Sequence, residues 1–280
     1  MPTGLRSPRP STISSIPTTS TIRTGTGASA ASGTITAVRV GSVRSVRWRD
    51  EEVLTGSFKE PVEGPVDLGL TGLAGDEQGD VVHHGGPEKA LLCYGRAHYA
   101  AWRAEGLDLP EGALFENLTV DGLTESEVCL EDVWDVEGVR LQVTQSRRPC
   151  WKLSSRWGVP DLARRVQSTG RTGWYLRVLT PGTLQAGQVM RLVERNPGAV
   201  DLAELSRVMN VDKGDIPAIE RILASPGVPG RWRTTLQRRL EVHRARTNGA
   251  GSSDGGGGPR SPGDSDGRLT DEEDTDRLRE

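Results

Sequence analysis

No apolar run in the chain approaches the roughly 18 residues that a membrane-spanning helix needs, so nothing in the sequence reads as a span. Cysteine is scarce, with three in 280 residues, an odd number at wide spacing. That excludes a disulfide framework and fits a reducing cytoplasm better than a secreted fold. A strong excess of one charge is also missing. The net charge of −3 gives no global pull toward nucleic acid or membrane. GxGxxG, P-loop, HExxH and GxSxG patterns are absent, and no His or Cys cluster stands at zinc spacing. No flavin, haem or iron–sulfur motif is visible.

The apolar content of 34% is low beside 26% charged residues, and both ends account for this. Residues 1–33 are rich in Ser, Thr, Pro and Gly and cannot bury a core. They lack the apolar stretch of a secretory signal. An acid-free start with Arg and Ser formally resembles an organelle transit peptide, but no amphipathic helix is visible in it. It reads as a disordered extension. Residues 247–280, rich in Gly, Asp and Glu, read as a disordered acidic tail.

Between the ends lie two patterns. Residues 34–195 contain short β-branched or alternating segments at 34–40, 139–145, 174–179 and 188–194. In 139–145, Val139, Leu141 and Val143 alternate with Arg140, Gln142 and Thr144, the period of a half-buried strand. Two short helices are expected at 95–106 and 160–168. Many strands with few helices predict a sheet closed into a barrel. Residues 199–245 instead show helical spacing. Leu202, Leu205, Val208 and Met209 share one face, Ile216, Ile219 and Ile222 another, and Trp232, Leu236 and Leu240 a third. Asp201 with Glu204 predicts a capping box, and Asp215 an N-cap. The fold class is therefore α+β, mostly β: a barrel core with short helices and a small C-terminal three-helix appendage. The Arg-rich last helix reads as a solvated face.

Three stretches can carry chemistry. In "SRRPCWKL" (146–153), Arg147 and Arg148 favour the thiolate of Cys150, the form that acts as nucleophile or metal ligand. They also suit an anion such as a phosphate. A free cysteine is more often a small core residue, so composition alone leaves Cys150 undecided. In "GDEQGDVVHHGGPEKALLCY" (75–94), Gly85, Gly86 and Pro87 form a turn able to hold an anion, flanked by His83, His84 and Lys89. Lys89 can serve as a phosphate contact, a Schiff-base lysine or a solvated residue. In "GALFENLTVDGLTESEV" (112–128), Asn117 sits among apolar residues and needs a partner for its amide, from a loop or a ligand. Cys93 and Cys129 lie in apolar contexts and read as structural.

Taken in this order, "GDEQGD", "HGGPEKALLCYGRAHYAAW", "ENLTVDGLTE" and "QSRRPCWKL" resemble the MOSC domain, the molybdenum cofactor sulfurase C-terminal domain, in its stand-alone YiiM-like form. The likeness spans about 34–195, and the three helices at 199–245 resemble the segment that follows the domain in that form. It implies a MOSC-type β-barrel. It also implies a molybdenum cofactor (a molybdopterin) with Cys150 as metal ligand and catalytic cysteine, and Arg147 on the pterin phosphate. Lys89, His84 and Asn117 fall on motif positions as cofactor-binding candidates. Two positions depart from the pattern: Ser146 replaces a common proline, and Phe115 a common glycine. If that glycine has positive φ, a phenylalanine there is strained.

The resemblance implies a cytoplasmic oxidoreductase that reduces N-hydroxylated compounds such as hydroxylaminopurines, fed by a separate electron-donating reductase, with no nucleic acid or membrane partner. The alternative is a sulfur carrier holding a persulfide on Cys150 for metal–sulfur centre assembly. A third reading is a binding module without chemistry, in which the helical appendage does the work; pyridoxal phosphate on Lys89 ranks low.

Overall fold

The structure, a computed structural model, describes residues 31–250. Strand β1 (Ser32–Val40) opens the fold. A hairpin follows, β2 (Arg44–Trp48) and β3 (Glu51–Thr55), then three short strands, β4 (Glu60–Pro61), β5 (Val66–Gly69) and β6 (Gly72–Leu73). A helical turn α1 (Val81–His84) and a 3-10 turn at Pro87–Lys89 lead into β7 (Leu91–Gly95), α2 (Ala97–Ala104) and β8 (Leu118–Asp121). Next come β9 (Val133–Val136), β10 (Val139–Ser146), α3 (Trp151–Trp157) and α4 (Leu162–Thr169). The barrel part ends with β11 (Trp174–Thr180), β12 (Gly182–Leu184) and β13 (Val189–Glu194). Helices α5 (Leu202–Asn210), α6 (Ile216–Ala224) and α7 (Gly230–Ala250) complete the described residues.

Seven strands close into a barrel in the order β13-β9-β10-β11-β7-β8-β1, with β1 returning to pair β13. Neighbours run antiparallel except β7 and β8, which are parallel. Closure removes the exposed sheet edge that invites aggregation. The alternation read in β10 is present: Val139, Leu141 and Val143 are buried, while Arg140, Gln142 and Thr144 are half-buried. Each such inward side chain contributes about 1.5–3 kcal/mol of transfer free energy. β7 differs, because all five of its residues are buried. One face meets the barrel interior. The other carries Tyr94 into a second core with Tyr99, Trp102, Leu153 and Leu162.

Asp201 caps α5 by accepting from the Glu204 N–H at 2.8 Å, and Asp215 caps α6 through Ala218 at 3.1 Å. Leu202, Leu205, Ile219, Ile222, Trp232 and Leu236 belong to the same buried cluster as the barrel residues. The appendage and the barrel thus share one core. The expectation of disordered ends lies outside the described residues, save at its inner edges: β1 begins at Ser32, and α7 continues to Ala250. Among the described residues no helix is long and apolar enough to cross a membrane.

Candidate functional site

β10 aims the chain into a cleft. Its last residue, Ser146, pairs with Trp174 of β11. The Ser146 hydroxyl, buried, meets Thr172 Oγ1 at 2.8 Å, so the position does not require a proline. Arg147 then donates its N–H to Gly173 O at 3.0 Å. Gly173 has φ +74°, and a Cβ on it would stand 2.4 Å from the Cys93 carbonyl oxygen. Only glycine permits that approach. Glu125 accepts the Gly173 N–H at 2.6 Å and holds the turn from the other side. Cys150 follows as the N-cap residue of α3, and Gly158 closes the helix in the left-handed region at φ +64°. Residues 147–150 form a short loop after β10, with Cys150 its last residue. The structure places it at the start of a helix.

The cleft encloses about 680 Å³, open mouth included. Lys59, Lys89, Arg147, Arg148 and Lys152 line it against Asp76, Glu77 and Asp80. A chain of net charge −3 therefore carries a locally positive pocket. Cys150 and His84 are on its wall as well, so the structure brings together all five candidates: Cys150, Arg147, Lys89, His84 and Asn117.

Their environments differ. Arg147 is 5% exposed, and among the described residues its Nη1 has no hydrogen-bond partner. Its guanidinium also contributes a hydrogen bond to Tyr175 and stands 5.9 Å from the centre of the Phe115 ring. Buried nitrogens of this kind are normally satisfied, by protein, water or a ligand. Lys89 donates to the His83 carbonyl, with its ammonium 5.7 Å from the Tyr175 ring centre. Its turn is fixed by Glu88, whose carboxylate takes Arg177 at 3.0 and 3.1 Å and whose carbonyl accepts Thr144 at 2.7 Å.

Asn117 is engaged by the protein. Its Oδ1 accepts from Leu92 N at 3.0 Å, and its Nδ2 donates to Arg39 O at 3.2 Å and Asp76 Oδ2 at 2.9 Å. It braces the pocket floor between β7 and the Asp76 loop. Asp76 is a hub there, 1% exposed, pairing with Lys59 and accepting the Gly41 N–H at 2.9 Å. Burial lowers the Lys59 ammonium below the ordinary lysine value, while Asp76 and Glu116 support it. Burial, helped by Lys152, Lys89 and Arg147 and opposed by Asp80, pushes His84 down to about 4, so it is neutral at pH 7. Burial works against reactivity at the other two thiols. Burial raises Cys93 far above the thiol range, and Cys129 to about 11 with Asp132 adding to it.

Phe115 occupies φ +66°, so the condition under which a phenylalanine there is strained is met, and its ring lines the cleft. The sequence reading missed Lys59, Asp76 and Tyr175. Asp76 lay within a quoted motif, after Gly75 at φ +80°. Lys59 carries no local signal, because its burial comes from Asp76, 17 residues away.

Among the described residues no three His, Cys, Asp or Glu side chains gather as a metal site. A metal at Cys150 must therefore bring most of its ligands with it. The donor set fits such a group: one cysteine sulfur for a soft metal, and a buried guanidinium with one unpartnered nitrogen for an attached anion.

The MOSC domain profile matches residues 80–191. The uncharacterized protein YflK of Bacillus subtilis is 35% identical over 209 residues, 74% of this chain and 94% of that protein. Protein YiiM of Escherichia coli is 36% identical over 185 residues, 65% of this chain and 82% of its own length. A protein named reductase from Gibberella moniliformis is 36% identical over 168 residues, 58% of this chain and 30% of that longer protein. The crystal structure of YiiM from Geobacillus stearothermophilus superposes with a TM-score of 0.61 at 32% identity, covering 74% of this chain and 99% of that one. With the closed barrel and the clefted cysteine already in place, these likenesses assign the chain to the MOSC family, as a YiiM-like member.

Proposed function

We propose that the protein is a molybdenum-cofactor reductase of N-hydroxylated compounds such as hydroxylaminopurines. The observation that carries this is the pairing of Cys150 with the unpartnered Nη1 of Arg147 in one positive cleft. Cys150 supplies the thiolate ligand, and Arg147 takes the cofactor's phosphate, with Lys59 and Lys89 adding charge. The cofactor, when bound, supplies two-electron reduction. The reductase name of the fungal relative supports the reading.

The balance of the reaction is simple. An N-hydroxylamine takes two electrons and two protons, the N–O bond breaks, and an amine and water leave. A separate reductase provides the electrons. The chain's own residues prepare the ground. Asn117 and Asp76 fix the floor, neutral His84 leaves the cleft charge to the lysines and arginines, and Phe115 covers one wall.

The test is conversion of N6-hydroxylaminopurine to adenine by the purified holoprotein, with reduced methyl viologen as donor. Wild type should turn over, and Cys150→Ala should be inactive with an unchanged circular dichroism spectrum. Equal turnover by both proteins refutes the assignment.

A further inference from the structure

The cleft does not end at Cys150. A second chamber opens outward from it, with about 1040 Å³ of space including its mouth. Cys150, Lys89, Arg148 and Tyr175 line both chambers, so Cys150 stands where they join. The outer chamber also takes Gln167 from α4 and Arg231 from the first turn of α7.

Arg231 belongs to the helical appendage, yet it is tied to the strand that delivers Cys150. Its Nη2 donates to Gln145 Oε1 at 3.1 Å, and Gln145, on β10, is almost fully buried. The appendage is held to the same wall by Gln167 Nε2 donating to Asn210 at 3.0 Å. Three cations, Lys89, Arg148 and Arg231, thus line the chamber that adjoins Cys150. Asp80 also faces this chamber, but its carboxylate is engaged by His83 Nδ1 at 2.9 Å and by the Val82 and His83 N–H groups.

We infer that the outer chamber recognises a phosphate on the substrate, that Arg231 is a recognition residue, and that the substrate is the nucleotide form of an N-hydroxylated base. The inference rests on the reductase reading for the base, and on the outer chamber for the phosphate. A guanidinium matches a phosphate dianion by a two-pronged contact, and Lys89 and Arg148 add positive charge beside it. The base then lies toward Cys150 and the phosphate toward Arg231. The three-helix appendage acquires a function by this route: it sets which form of the base is accepted.

The experiment is calorimetric binding of adenosine 5′-monophosphate and adenosine, which lack the N–O bond and are not turned over. It uses holoprotein carrying wild-type sequence, Arg231→Ala, Arg231→Lys or Arg246→Ala. Arg246 is exposed on α7, about 22 Å further along the helix. Wild type should bind the monophosphate about tenfold more tightly than adenosine, as one charged hydrogen-bonded contact warrants. Arg231→Ala should erase that ratio without changing adenosine affinity. Arg231→Lys should restore part of it, and Arg246→Ala should leave it intact. Equal wild-type affinities, an equal loss for both ligands, or binding of neither would overturn the inference. Molybdenum content measured on the same samples separates this from the reductase reading. Metal present with no phosphate preference sinks only the inference; an Arg231-dependent preference without metal sinks the reductase and with it the N-hydroxylated base, and leaves the phosphate site at Arg231 standing.

Discussion

Phe115 holds a backbone conformation that costs a residue with a Cβ about 1 kcal/mol or more, and it does so on the wall of the cleft at φ +66°. Its ring packs beside Arg147 and against the second core. The two contributions separate by substitution. Phe115→Gly and Phe115→Ala both lose the ring, but only alanine keeps the strain. Thermal or urea unfolding should find the glycine variant more stable than the alanine variant by about 1 kcal/mol. Equal stabilities would show that the strain is absent. His84 gives a pH prediction. The unfolded histidine takes its proton near its ordinary value of 6.5, and the folded one near 4. Between those values the unfolded chain binds more protons, so His84 makes stability fall as pH drops through that window. Its side chain keeps 36% exposure, which limits the size of the effect. An NMR titration should place the His84 midpoint near 4; a midpoint at 6.5 would contradict the burial argument.

At the scale of elements, what could be read in the sequence followed periodicity. β10 alternates cleanly, and the caps at Asp201 and Asp215 are local hydrogen bonds, so both were legible. β7 was not, because "LLCYG" is buried on both sides and a continuous apolar run has no period. α3 was not legible because its seven residues, "WKLSSRW", are too few for a helical period to show, although Gly158 marked its end. In the site, Cys150 and Arg147 were legible from motif and charge. Lys59 and Arg231 were not, since their place in the cleft depends on contacts with Asp76 and Gln145 from other elements. The same dependence makes the turn at Gly173 critical. Gly173→Ala puts a methyl group 2.4 Å from Cys93 O, beside the carbonyl that holds Arg147. It should cost more than about 2 kcal/mol of stability, measurable by urea unfolding. A neutral result would mean that the strand ends are free to part.

The whole molecule behaves as one unit in this account, because barrel and appendage residues form a single buried cluster. Calorimetry of the full chain should show one unfolding transition, with matching calorimetric and van't Hoff enthalpies. Two resolved transitions would separate the appendage from the barrel. The shared core also explains how a helix from the appendage supports a site built on barrel strands: the appendage packs into the barrel's core, and Arg231 of α7 is bonded to Gln145 on β10, the strand that leads to Cys150.

The most direct test of the central claim is metal analysis of protein purified from a host that makes molybdenum cofactor, wild type beside Cys150→Ala. Molybdenum should be near one per chain in wild type and lost in the variant, with both proteins folded. Molybdenum in neither protein, with cyanide-labile sulfur on wild-type Cys150, would contradict that claim and return the chain to the sulfur-carrier reading.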